Sequence, residues 1–140
     1  MLRSGVPASL SFPRSRRLAH NLQYQAVYGA RVRKARGPLA VFALPNSLPY
    51  PRLGLAIGRR VGGAVERARL KRLLREAFRL TQHNLPRTDT GSYDLVINAR
   101  EHKPLELAEY QSLLLDLAAQ LHAEWQKRER RRAERTGNDA

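Results

Sequence analysis

The chain has 140 residues, with 26 Lys and Arg against 12 Asp and Glu, a net charge of +14 at pH 7, and no cysteine. Such a length suits one domain around a single core; the charge calls for an anionic partner, and the missing cysteines exclude disulfides, thiolate catalysis and cysteine-based zinc sites. No run approaches the roughly eighteen apolar residues of a membrane span and no short apolar segment marks a secretory signal, so a soluble, cytoplasmic protein with no membrane contact is expected.

Residues 1–16, rich in serine and arginine and broken by Pro7 and Pro13, have no apolar period and read as a disordered basic arm. A domain over 17–126 and a charged tail over 127–140 follow. Over 18–28, Leu18, Leu22, Tyr24, Val27 and Tyr28 recur at helical intervals, predicting a short amphipathic helix that ends near Gly29. Residues 31–36 are basic and suit a short edge strand. Residues 39–44 (LAVFAL), bounded by Pro38 and Pro45, predict a buried strand, and 53–58 (LGLAIG) a second one beyond a proline-rich loop at 46–51. Gly62 and Gly63 precede a long helix over 64–82. A turn at 86–91 leads to a strand over 93–99 (YDLVINA), and Pro104 precedes a helix over 105–125 whose Leu107, Tyr110, Leu114, Leu117 and Leu121 share one face. The order α-β-β-β-α-β-α gives an α+β domain with helices packed on one mixed sheet.

The long helix is the most informative element. At about 100° per residue, Leu70, Leu73, Leu74, Ala77 and Leu80 fall on one arc, and Lys71, Arg72, Arg75 and Arg79 on the opposite one, with Ala64 and Ala68 among them. Two small residues flanked by long cations leave room for a phosphate backbone. An ordinary solvated face mixes signs at i,i+4. Here only Glu66 and Glu76 interrupt nine cations, Arg52, Arg59, Arg60, Arg67, Arg69, Lys71, Arg72, Arg75 and Arg79, which favours a polyanion site. An amphipathic membrane helix would carry Trp or Phe on its buried face, and a duplex-DNA reader would show a helix-turn-helix or a dimer.

The block GRRVGGAVERARLKRLLREAF resembles the signature of the bacterial ribonuclease P protein family. Leu53-Gly54-Leu55, Arg59-Arg60, Gly62, Ala64-Val65, Arg67, Arg69, Lys71-Arg72, Arg75, Glu76, Ala77 and Phe78 stand at the matching places. Looser likeness covers Arg17-Leu18, the pair Tyr24 and Tyr28, Ala99-Arg100 and Pro104. The family pattern has asparagines where this chain has Ala68 and Gly63, so contacts made by those amides are absent here, while the charge is kept.

The resemblance implies the ribonuclease P protein fold, akin to ribosomal S5 domain 2. It implies a subunit that binds a catalytic RNA through Arg59, Arg60, Arg67, Arg69, Lys71, Arg72, Arg75 and Arg79. The 5′ leader of precursor tRNA would be taken by Tyr24, Tyr28 and Arg17, and Mg²⁺ would be held mainly by the RNA subunit. No catalytic residue, no metal ligand and no obligate protein partner are expected. The residues agree with that division of labour, because the acids are too scattered for a two-metal site and His20, His83, His102 and His122 have no neighbour at triad or ligand spacing, which suits surface or capping roles. The rival is a structural RNA-binding protein without a part in cleavage, which the same charge would serve.

Overall fold

In the computed structural model, which describes residues 11–138, the strands alternate between two covered faces. The elements are α1 (Asn21–Gly29), β1 (Arg33–Arg36), β2 (Leu39–Pro45), β3 (Arg52–Ala56), α2 (Ala64–Thr81), β4 (Tyr93–Ala99) and α3 (Leu107–Asn138). The sheet order is β1-β2-β4-β3, antiparallel except for the parallel pair of β3 with β4. Parallel neighbours need a crossover, and α2 supplies it. The α+β class, element order and mixed sheet are those expected from the sequence.

Leu39, Val41, Ala43, Leu53, Leu95 and Ile97 point to one face, where α2 and α3 bring Leu70, Leu74, Phe78, Tyr110, Leu117 and Leu121. Each such buried Val, Leu, Ile or Phe side chain contributes about 1.5–3 kcal/mol. The alternate residues Phe42, Leu44, Ala56 and Val96 meet Leu18, Tyr24, Val27 and Tyr28 on the other face. Helices therefore cover both faces, and the short α1 leaves Phe42 and Leu44 only partly buried.

Helix α1 starts where Gln23 Oε1 accepts the Ala19 and His20 amides at 2.8 and 3.1 Å, satisfying donors that a helix start leaves free. Helix α3 is held to the sheet by Trp125, whose Nε1–H donates to Ala43 O at 3.0 Å, and by Arg36 with Asp116 at 2.8 Å. It continues past Trp125, the end predicted from apolar spacing, because the charged stretch beyond is built of strong helix formers.

The expected disordered arm needs correction for its last residues; the portion up to residue 10 lies outside the described residues. Phe12 packs on Phe78, ring centroids 5.3 Å apart, and Arg16 donates to Gln82 Oε1 at 2.7 Å. Leu18 N–H donates to Leu53 O at 2.9 Å beside an Arg17–Leu53 bridge, partly covering the edge of β3. A single aromatic anchor in a Pro/Ser-rich stretch leaves no periodic trace.

Candidate nucleic-acid interface

Helix α2 begins behind a 3₁₀ turn (Arg59–Val61) closed by Gly62 at φ 152°, a backbone that L side chains rarely adopt. Leu70, Leu74, Ala77, Phe78 and Thr81 point inward. On the outer side Ala64, Arg67, Ala68, Lys71 and Arg75 line an open depression of about 300 Å³. The two alanines leave the space and the three cations border it. Arg67 Nε is buried with no hydrogen-bond partner among the described residues. Arg72, Arg59 and Arg60 are exposed nearby.

Not every cation of the block joins them. Arg69 turns to the opposite flank and lines a small pocket with Glu66, Leu73, His102 and Tyr110. Arg79 is ion-paired to Glu76 within the helix. Arg52 is engaged by the buried Asp94 through two bonds of 2.8 and 2.7 Å; that hydrogen bond, against the desolvation of burial, raises the guanidinium's already high pKa. Asn46 Nδ2–H also donates to Asp94 at 2.9 Å, holding the loop before β3.

The predicted aromatic pair lies on the other face. Tyr24 sits over Gly54, where an added Cβ would stand 2.8 Å from its ring, and its hydroxyl accepts the Leu55 amide at 3.2 Å. Tyr28 donates to Asn98 Oδ1 at 3.2 Å and meets Phe42 edge-on at 4.8 Å. Both rings are half-buried. Arg17 instead stacks over Phe12 at 4.6 Å and donates to its carbonyl at 3.3 Å; no hydrogen bond or ring contact among the described residues joins it to either tyrosine. Sequence reasoning missed Arg33, whose guanidinium lies 6.0 Å from the Phe42 ring, and Asn98. Both border a groove that continues to Arg36 and Arg100. A lone amide inside the apolar run YDLVINA was the available signal for Asn98.

The histidines take supporting places. His102 bridges Arg100 O at 2.8 Å and the Tyr110 hydroxyl at 2.7 Å, and His122 bonds the Tyr93 hydroxyl at 2.8 Å. Among the described residues no group of three or more His, Asp or Glu side chains is placed to hold a metal ion, and no helix is long and apolar enough to cross a membrane.

Comparison with known proteins matches this arrangement to one family. The family model described as Ribonuclease P covers residues 12–123. The ribonuclease P protein component of Methylococcus capsulatus is 47% identical over 64% of this chain and 66% of its own length. That of Chromohalobacter salexigens is 40% identical over 85% of the chain and 86% of its own. The Thermotoga maritima RNase P protein structure superposes with a TM-score of 0.64 at 24% identity, covering 73% of this chain and 94% of that one. That likeness concerns the fold. A Staphylococcus aureus RNase P protein structure gives 0.59 at 25%, over 73% and 91%. With the match running from the Phe12 anchor through the basic helix and the first half of α3, the chain belongs to the ribonuclease P protein family.

Proposed function

We propose that this chain is the protein subunit of a ribonucleoprotein endonuclease, binding the ribonuclease P RNA and the 5′ leader of precursor tRNA in the cytoplasm while the RNA performs the cleavage. The observation that carries the reading is the depression on α2, with Ala64 and Ala68 between Arg67, Lys71 and Arg75. Its open shape and charge suit a phosphate strand, and affinity from such contacts is sequence-independent and salt-dependent. Arg72 with the Arg59–Arg60 turn would extend the same contact, as structured RNA is met through backbone and shape. Arg69 and Arg79, placed on a flank and in an ion pair, would add little.

On the α1 face, Tyr24 and Tyr28 would present ring edges to unpaired leader bases, with Arg33 and Arg100 following the backbone. Such stacking contributes about 1–3 kcal/mol per base and accepts any base. Arg17 would act indirectly, by seating the N-terminal segment. The protein's own acids do not fit a magnesium site among the described residues, and Mg²⁺ would be held mainly by the RNA. The protein alone would be inactive.

The test is cleavage of precursor tRNA by a bacterial ribonuclease P RNA at low magnesium, with and without this protein, mapping the product's 5′ end. Cleavage at the mature end only when the protein is present is the expected result. Binding without restored cleavage would leave a structural RNA-binding role in its place.

A further inference from the structure

Helix α3 outlasts the domain it packs on. Its last anchors are Trp125 and Arg128, the latter donating to Ala30 O at 3.4 Å, yet it runs on to Asn138, beyond residues 12–123 matched by the family. Residues 129–137 are all exposed. On a wheel of about 100° per residue, Lys127, Arg128, Arg131, Arg132 and Arg135 fall within an arc of about 140°, with Glu134 at its Lys127 edge, while Glu129 and Ala133 lie opposite. Three i,i+4 neighbours in that stripe are like-charged: Lys127 with Arg131, Arg128 with Arg132, and Arg131 with Arg135. Such pairs destabilise a helix, and no salt bridge among the described residues reaches Arg131, Arg132 or Arg135. The stripe is therefore an arrangement that a polyanion would stabilise.

Its chemistry narrows the partner. No aromatic residue follows Trp125, so the stripe lacks the ring platforms typical of single-strand sites, and its row of cations suits the backbone phosphates of paired RNA. Its place narrows the partner further. Tyr110 lies beside Glu66 and Leu70 of α2, and Arg131 follows about 30 Å along the α3 axis. The stripe thus stands at the opposite end of the domain from the Ala64–Ala68 depression, and two phosphate-gripping surfaces that far apart fit one large folded RNA.

We infer that the C-terminal extension of α3 is a second RNA-binding arm that grips a base-paired segment of the RNA subunit, remote from the contact made by α2. The inference rests on the proposed function for its partner. It is tested with the full chain carrying R131Q, R132Q and R135Q together, by equilibrium binding to the RNA subunit across a salt series. The slope of log K against log salt should fall in magnitude by about 2–3, the triple Arg→Lys variant should keep it, and binding to precursor tRNA alone should not change. An unchanged slope on the RNA subunit, or a fall seen only with precursor tRNA, would overturn the arm. Arg75→Gln serves as the separate probe of α2. If it leaves the slope untouched while the triple change lowers it, the α2 assignment fails and the arm stands.

Discussion

Tyr24 lies so close above Gly54 that a Cβ at residue 54 would stand 2.8 Å from its ring, while its hydroxyl accepts the next amide, that of Leu55, at 3.2 Å. The bare strand is thus the seat of the ring. Gly54→Ala is expected to push Tyr24 off the sheet and to cost about 1–3 kcal/mol, the usual range for overpacking, measured by urea denaturation. Tyr24→Phe keeps the ring and should cost about 1 kcal/mol, through the lost hydrogen bond alone.

The same ring carries a binding prediction. Tyr24→Ala should weaken a leader-bearing precursor more than mature tRNA, by about 1–3 kcal/mol for each base stacked. Equal weakening of both in a paired titration would remove Tyr24 from the leader contact.

On α2, Lys71→Gln and Arg75→Gln should each lower the salt slope of RNA-subunit binding by about one unit, whereas Arg52→Gln, already spoken for by Asp94, should leave it unchanged. Ala68→Leu fills the depression from an exposed position, so it should reduce affinity with the melting temperature preserved.

Removing Asp94 has the opposite signature. Asp94 is buried and holds both Arg52 and Asn46, so Asp94→Ala strands a cation and frees the loop before β3. A loss of about 3 kcal/mol is expected, as when one partner of a buried pair is deleted.

Alkaline pH should unfold the protein partly through Tyr93. Burial first, then the charge of Glu129, pushes its phenol up to about 12, against roughly 10 when unfolded. A raised pKa stabilises below the unfolded value and the contribution is lost as pH rises from about 10 through 12, amounting to about 2 kcal/mol. Tyr110 is raised in the same direction, also by burial. Tyr93→Phe should lower stability at pH 8 by about 1 kcal/mol, through the lost His122 bond, and flatten the decline above pH 10 in denaturation curves.

How much of this was legible in the sequence depends on whether a residue announced itself by period. The element order and the Ala64–Ala68 gap among cations followed from spacing alone. The strand LAVFAL gave no sign that Phe42 and Leu44 face α1, because both faces of β2 are apolar. Phe12 and Arg16 were lost in a stretch without period, since their partners Phe78 and Gln82 come from a distant helix. Arg52 looked like a free cation because the acid that neutralises it, Asp94, is brought near only by the pairing of β3 with β4, whereas the partner of Arg79, Glu76, stands three residues away on the same helix.

That pairing also sets the order in which the molecule can assemble. Strand β3 has one sheet neighbour, β4, and the two meet only after the chain has gone out through α2 and returned, whereas β1 and β2 close across a tight turn. Long-range parallel closure is slow because loop entropy is lost before any contact is gained. The floor of the Tyr24 site is therefore expected to be the last part of the sheet to form, and an RNA bound on α2 would hold shut the very crossover on which that floor depends.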